Sequence, residues 1–175
     1  MYHALVARKT ESGVTAAIEE RDNSELPPGD VLVAVEYSTV NYKDGLVVTS
    51  GGGLVKTWPH VPGIDFAGTV LESNDARYVP GAKVILTGWR VGELHDGGYA
   101  SRARVKADWL VPLPQGLTTR LAMAIGTAGF TSMLALFMNP ALWQLFGVSN
   151  DLTSEERDAV RHRDYLRPIR SFDDL

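Results

Sequence analysis

The sequence predicts a mainly β domain, a sandwich or a barrel, followed by a helical C-terminal segment. Residues 1–113 contain many short segments rich in β-branched and aromatic residues, and glycine and proline separate these segments at regular intervals. The pattern changes at Thr118, after which residues that break a helix become scarce. A chain of 175 residues is long enough for one domain with a sizeable core.

Seven strands are predicted in the first part of the chain. The clearest follows the turn Pro27-Pro28-Gly29-Asp30, in which proline presets φ and glycine accepts a positive φ. Similar punctuation stands at Val61-Pro62-Gly63 and Val79-Pro80-Gly81. Many short strands between such turns are typical of a sandwich or a barrel. The predicted strands are Tyr2–Arg8, Thr15–Glu19, Val31–Tyr37, Gly68–Glu72, Lys83–Leu86, Tyr99–Val105 and Trp109–Val111.

Two helices are predicted after the strands. The first spans Thr118–Leu136, and either Thr118 or Thr119 can cap it. The break Asn139-Pro140 follows. A second helix is expected from Thr153 to about residue 165, because a threonine followed three residues later by a glutamate forms a capping box.

The composition excludes several classes of protein. A net charge of −4 gives no electrostatic reason to expect a nucleic acid or an anionic membrane as partner. The chain has no cysteine, which excludes disulfides and thiol nucleophiles and fits a cytoplasmic protein. Its N-terminus lacks the apolar run of a signal peptide. The four histidines show no metal-ligand spacing, and a catalytic zinc needs about three converging ligands, so no metal is expected.

Five strings, in order along residues 1–136, resemble the medium-chain dehydrogenase/reductase superfamily. A further string, residues 88–98, narrows the resemblance to its zinc-independent branch of acryloyl-CoA reductases and quinone oxidoreductases. That branch tends to have glycine where Arg90 stands and an aromatic residue where Asp96 stands. The five strings are Ser38-Thr39-Val40-Asn41-Tyr42-Lys43-Asp44-Gly45, Pro62-Gly63-Ile64-Asp65-Phe66-Ala67-Gly68-Thr69-Val70, Pro80-Gly81-Ala82-Lys83-Val84-Ile85-Leu86, Gly97-Gly98-Tyr99-Ala100 and Ala124-Ile125-Gly126-Thr127-Ala128-Gly129-Phe130-Thr131.

The resemblance implies a GroES-like β-barrel that forms the substrate side of an NADPH-dependent reductase. The implied reaction is hydride transfer to a C=C bond next to a carbonyl or thioester, in a small acyl-CoA, enone or quinone. Without zinc, hydrogen-bond donors must stabilise the developing enolate, and an acid or a water must protonate the α-carbon. The resemblance places Asn41 and Tyr42 at the cleft as catalytic residues. The bland alternative is that Asn41 caps a turn and Tyr42 packs at the end of a strand.

Further residues are assigned to the same cleft by the resemblance. Thr127 and Tyr42 would contact the cofactor, although the glycines beside Thr127 equally suit tight helix packing. Asp65 would either orient a cleft residue or, as we favour, cap backbone amides in the barrel. The remaining expected substrate contacts are weaker: Asp44, which could instead have a structural hydrogen-bonding role; Trp89, which could instead pack at the core; and His95.

The cofactor domain of the family is expected to be absent from this chain. The 39 residues after Leu136 contain no Gly-x-Gly-x-x-Gly, and a Rossmann domain needs several βαβ units of about 30 residues each. We therefore expect residues 1–117 to form the barrel, 118–138 a linking helix and 139–175 a helical tail. The chain alone would then be a truncated reductase, inactive by itself. The alternatives are a non-catalytic interaction module, which could dimerise or pair with a full-length relative, and a gene remnant.

Overall fold

The computed structural model describes residues 1–50 and 53–138. The chain divides into two compact units, Met1–Thr131 and Ser132–Leu175, and the fold and site below belong to the first. The predicted helix after Thr153 lies outside the described residues, and the predicted boundaries near residues 117 and 138 stay predictions. The strands are β1 (Tyr2–Thr10), β2 (Gly13–Arg21), β3 (Val31–Tyr37), β4 (Asp65–Ser73), β5 (Lys83–Thr87), β6 (Arg102–Val105) and β7 (Leu110–Pro112); the helices are α1 (Tyr42–Ser50) and α2 (Thr119–Met138).

The strands form two antiparallel sheets. β1 and β2 make a hairpin, and the other five strands pair in the order β6-β3-β4-β5-β7. Isolated bridges from Ala4 to Ala100 and from Ala7 to His60 join β1 to loops of the larger sheet. The mainly β fold class is therefore confirmed, although the ladders among the described residues do not close into a continuous ring.

One face of the larger sheet covers the main core. Buried valines alternate along β3 because successive side chains of a strand point to opposite faces. They pack with Phe66 and Leu86, which are both fully buried. A second cluster lies between β1 and the loops that bridge to it, around Tyr2, Val6 and Val61. These two clusters make the larger sheet a rigid base for the loop that leads into α1.

The predicted strands are confirmed with small changes at their ends. β4 begins three residues earlier than predicted, at Asp65, and β6 begins three residues later, at Arg102 instead of Tyr99. The amides of residues 97–99 donate to carbonyls of residues 61–63, so this segment pairs with a loop and not with β3. Glycine permits this contact, since a Cβ at Gly97 would lie 2.3 Å from the carbonyl oxygen of Gly63. Two of the sequence strings therefore contact each other directly.

The two helices differ from the prediction. No element was predicted over residues 42–50, where α1 lies. α2 begins at Thr119, and the Thr118 hydroxyl accepts a hydrogen bond from the Leu121 amide, which confirms Thr118 as its cap. α2 is kinked at Gly126, which has the non-helical angles φ 55° and ψ −165°. Within the described residues, no helix has the length and apolar character needed to span a membrane.

Candidate functional site

Asn41 immediately precedes α1, and the first turn of that helix fixes its backbone. The Asn41 carbonyl accepts from the amides of Asp44 and Gly45, while the Asn41 amide donates to Asp44 Oδ2 at 2.9 Å. The second contact is half of a capping box, with an aspartate in the place of the usual glutamate. The sequence alternative that Asn41 caps a turn is thus close to the observed backbone, but its side chain does not act as the cap.

Asp44 is a structural residue at this site. Only 1% of it is exposed, and its other oxygen, Oδ1, accepts from the amides of Gly63 and Ile64 at 3.0 and 3.1 Å. Since a buried carboxylate needs hydrogen-bond donors, these contacts account for its burial. Its two oxygens face backbone amides and the Tyr99 hydroxyl, which matches the structural hydrogen-bonding role that the sequence also allowed. A substrate contact for Asp44 stays a prediction.

Tyr99 connects this capping carboxylate to the loop before α1. Its hydroxyl lies 2.9 Å from the Thr39 carbonyl and 3.2 Å from Asp44 Oδ2. Burial raises the pKa of Tyr99, and the negative charge of Asp44 raises it further. The phenol therefore stays protonated at neutral pH and holds residues 39–44 in place as a donor.

The Asp65 carboxylate is the central hydrogen-bond acceptor of the site. Asp65 begins β4, is completely buried, and receives donors from three different segments of the chain. Its Oδ1 accepts from the amide and the hydroxyl of Thr39 at 3.1 and 2.7 Å. Its Oδ2 accepts from the amide and the hydroxyl of Thr127 at 2.9 and 2.6 Å. Asp65 thus caps backbone amides, as favoured from the sequence, and it also lies 3.3 Å from the side-chain nitrogen of Asn41.

The kink in α2 is what brings Thr127 to Asp65. The left-handed φ of Gly126 turns the next amide out of the helix and onto the carboxylate. A Cβ at Gly126 would lie 2.9 Å from Cγ2 of Thr39, so no larger residue fits without a shift. The two sequence alternatives for this glycine motif are close approach to a ligand and tight packing; among the described residues, the contact is packing against Thr39 and Asp65.

The hydrogen-bond network fixes which way the Asn41 amide points. The side-chain nitrogen donates to the Thr39 hydroxyl at 2.9 Å and to Asp65 Oδ2 at 3.3 Å. A carboxylate only accepts, so the nitrogen, and not the oxygen, must face Asp65. Both amide hydrogens are therefore used inside the protein. What Asn41 offers to a bound molecule is therefore its side-chain oxygen, which is an acceptor.

Tyr42 is the donor at the surface beside Asn41. It starts α1 and is 82% exposed, which rules out packing at the end of a strand. No hydrogen bond to its hydroxyl is found within residues 1–50 and 53–138. The Tyr42 hydroxyl is a donor and the Asn41 side-chain oxygen is an acceptor, and the two residues are consecutive in the chain. The catalytic roles of the two residues stay proposals.

Trp89 and His95 lie in the turn that follows β5, and both contact Trp109. Trp89 stacks on Trp109 with ring centroids 6.3 Å apart, and it packs against the main core as the bland alternative held. His95 contacts the same indole at 4.6 Å between centroids. Partial burial, followed by the positive charge of Lys106, lowers the pKa of His95, so the imidazole is neutral at pH 7. A substrate contact for either residue stays a prediction.

Sequence reasoning missed three participants: Thr39, Tyr99 and Glu93. The first two stand inside the strings that carry the resemblance, and the Gly97-Gly98 pair before Tyr99 signalled a close backbone approach. Glu93 is 6% exposed and stands in the string of residues 88–98, but its pairing with Lys43, 50 residues away, gave no sequence signal. Within the described parts of the chain, no group of three or more histidine, aspartate or glutamate side chains is placed to hold a metal ion.

The fold of the described residues defines a class of protein. Residues 27–115, just over half of the chain, match the alcohol dehydrogenase GroES-like domain, and the chain belongs to that family. Within it, the chain is 67% identical over 138 residues to the acrylyl-CoA reductase AcuI of Ruegeria pomeroyi, covering 78% of this chain and 42% of that protein. It is 45% identical over 136 residues to the putative quinone oxidoreductase YhfP of Bacillus subtilis, covering 78% and 41%.

Solved structures give the same picture. The YhdH oxidoreductase of Salmonella enterica, in complex with NADP, has a TM-score of 0.76 and 51% identity, covering 79% of this chain and 42% of that one. Escherichia coli YhdH with bound NADPH has a TM-score of 0.75 and 52% identity, covering 77% and 42%. The chain thus spans about two fifths of the length of the curated relatives and solved structures it matches. This confirms the predicted branch, and the activity of a whole enzyme remains a proposal.

Proposed function

We propose that the chain supplies the substrate-side barrel of an NADPH-dependent, zinc-independent reductase that acts on an activated C=C bond. The observation that supports this most strongly is the Asn41–Tyr42 pair, in which buried carboxylates hold an acceptor beside an exposed donor. Similarity to an acrylyl-CoA reductase and a quinone oxidoreductase supports the substrate class, an α,β-unsaturated thioester, an enone or a quinone.

The described residues fit the nicotinamide end of such a cofactor. A nicotinamide riboside carries hydroxyl and carboxamide donors, and the Asn41 side-chain oxygen is an acceptor with no hydrogen bond to any described residue. Thr127 fits a supporting role only, because its amide and hydroxyl both donate to Asp65. NADPH, when bound, supplies the hydride. The phosphates of such a cofactor are ordinarily held at a Gly-rich strand-to-helix turn of a Rossmann domain.

Tyr42 is the proposed donor in the reaction. Addition of hydride to the β-carbon leaves negative charge on the carbonyl oxygen, which a preorganised donor stabilises. The Tyr42 hydroxyl either donates to that oxygen or orders the water that protonates the α-carbon. Asn41 cannot take this role because its hydrogens are already bound to Thr39 and Asp65.

The acceptor role of Asn41 can be tested without turnover. We expect both side-chain NH₂ signals of Asn41 to exchange slowly in the free protein and to stay unchanged when NADP⁺ or a substrate analogue is added. Asn74 provides the reference for fast exchange, because it is exposed and its side chain makes no hydrogen bond in the described structure. A large change in the chemical shifts of the Asn41 NH₂ group on addition of ligand would mean that this group donates to the ligand, and it would refute the acceptor role.

The role of Tyr42 requires turnover. When the chain is fused after Leu136 to a dinucleotide-binding domain, Tyr42→Phe should lower kcat about 10²-fold or more, as loss of one such donor does in other enzymes. The change keeps the aromatic ring and removes only the hydroxyl. Tyr37→Phe, at a second partly exposed tyrosine of the same barrel, serves as the control. An unchanged kcat and KM in Tyr42→Phe would contradict the proposal.

A further inference from the structure

Two cations share one buried carboxylate beside Tyr42. Lys43 Nζ lies 2.8 Å from Glu93 Oε1, and Arg90 Nε lies 3.7 Å from Glu93 Oε2. The Glu93 side chain is only 7% exposed, whereas the Lys43 and Arg90 side chains are 51% and 56% exposed. Glu93 neutralises one of the two charges, so the exposed cationic ends together retain a positive charge that no described side chain cancels.

The turn that carries Arg90 is held rigidly in an unfavourable conformation. Trp89 and Arg90 both have positive φ, 53° and 57°, and the Val91 amide closes the turn on the Gly88 carbonyl. Such angles cost a residue other than glycine about 1 kcal/mol or more. Three amides, those of Glu93, Leu94 and His95, converge on the Arg90 carbonyl and maintain the strain. The Arg90 side chain on this turn is 56% exposed, so its guanidinium lies at the surface.

The inward half of the turn is anchored by aromatic contacts. Trp89 stacks on Trp109, and Lys106 Nζ lies 5.5 Å from the centre of the Trp109 ring. Asp96, close in sequence to this turn, is occupied, since it accepts from the Val61 amide at 3.0 Å and lies 3.5 Å from His60 Nδ1. Arg90 on the turn and Lys43, which shares Glu93 with it, are both more than half exposed.

We propose that Lys43 and Arg90, held together by Glu93, bind a phosphate group of a coenzyme A thioester. This inference rests on the proposed function, since it places the substrate. The Arg90 guanidinium and the Lys43 ammonium, both paired with Glu93, suit a phosphate, because a phosphate accepts several charge-assisted hydrogen bonds. The pantetheine arm of such a thioester is long and flexible, so its phosphates bind at the surface, away from the reacting bond. Cofactor phosphates have their own site in a Rossmann domain, which favours the substrate as the source.

The test is calorimetric titration of the full chain with coenzyme A. The chain has no cysteine, so the coenzyme thiol cannot form a mixed disulfide with it. Arg90→Gln and Lys43→Gln should each raise the Kd for coenzyme A about tenfold, the usual effect of losing one hydrogen bond to a charged group. Pantetheine, which has no phosphate, should bind equally to all variants. Arg8→Gln is the matched control, because Arg8 is 50% exposed and paired with Glu19.

Several results would overturn the inference. They are no binding of coenzyme A at millimolar concentration, equal affinity in wild type and both variants, or an equal loss in Arg8→Gln. A parallel loss of NADP⁺ affinity, with competition between the two ligands, would assign the phosphate to the cofactor instead. Arg90→Gly guards against misfolding, because glycine accepts the observed φ at little cost, and it should lose coenzyme A affinity as Arg90→Gln does.

The outcomes also separate this inference from the proposed function. Reduction of a quinone or enone by the fused enzyme, without coenzyme A binding at Arg90, would leave the function intact and refute the phosphate site. Binding of coenzyme A that depends on Arg90, without reduction of any activated double bond, would support the site and refute the function.

Discussion

The buried carboxylate of Asp65 should tolerate even an isosteric substitution poorly. Asp65→Asn keeps the shape of the side chain and replaces one acceptor oxygen with an NH₂ group. A backbone amide donates to each oxygen, Thr39 to Oδ1 and Thr127 to Oδ2. The new NH₂ group must therefore face one of these amides in either orientation of the side chain. Hydroxyls can rotate to become acceptors, but backbone N–H groups cannot.

The magnitude follows from that count. One buried backbone donor loses its acceptor, which costs about 1–3 kcal/mol, and the remaining hydrogen bonds lose their charge assistance. Together we expect the free energy of unfolding to fall by about 2–4 kcal/mol. With a urea m-value of roughly 2 kcal/mol/M, the unfolding midpoint should fall by about 1–2 M.

The assay is urea denaturation followed by circular dichroism at pH 7. Asp108→Asn is the control, because the Asp108 side chain is 75% exposed and its ion pair with Arg77 lies at the surface, where such pairs contribute less than about 1 kcal/mol. A midpoint for Asp65→Asn within experimental error of this control would refute the reasoning. It would mean that relief of charge burial compensates for the lost donors.

Three further predictions concern stability and ligands. The Lys83 ammonium, with help from Thr69 and Thr119, lowers the pKa of Glu36 from 4.5 to about 2, so its stabilising effect is full above pH 4.5 and is lost as the pH falls toward 2. Glu36→Gln should thus lower the free energy of unfolding by about 1 kcal/mol at pH 7, after allowance for solvent screening. In urea titrations, the difference from wild type should shrink between pH 5 and pH 3, and a constant difference would contradict this. Arg90→Gly should raise the free energy of unfolding by about 1 kcal/mol because it relieves the positive φ, and a lower thermal midpoint than wild type would be evidence against the strain. Purified, tag-free protein should contain no stoichiometric zinc, and elemental analysis that finds one zinc per chain would overturn the zinc-independent mechanism.

Local patterns predicted the strands well. β3 lies at Val31–Tyr37, as predicted, since its alternating valines and the preceding proline turn are both local signals. α1 was missed because Gly45 and three consecutive β-branched residues, Val47, Val48 and Thr49, are poor helix formers. Its only signal is Asn41 followed three residues later by Asp44, an incomplete capping box. Tertiary contacts of Asp44 with the loop at residues 63–64 overcome the low propensity.

Some residues of the candidate site could be named from the sequence, but their geometry could not. Asn41, Tyr42, Asp65 and Thr127 were all identified, because they stand in strings that resemble a family. The direction of the Asn41 amide depends on Asp65, 24 residues away, and the kink at Gly126 depends on a carboxylate 62 residues from Thr127. Such long-range contacts leave no periodic or local trace in a sequence, so neither the direction of the amide nor the kink was predicted.

The central claim is that this barrel supports reduction of an activated double bond. The most direct measurement fuses the chain, cut after Leu136, to the dinucleotide-binding domain of a similar acrylyl-CoA reductase and follows NADPH absorbance with acryloyl-CoA as substrate. The account predicts NADPH oxidation that depends on acryloyl-CoA, yields propionyl-CoA and falls about 10²-fold in Tyr42→Phe. A folded fusion that binds NADPH but reduces neither acryloyl-CoA, an enone nor a quinone would contradict it.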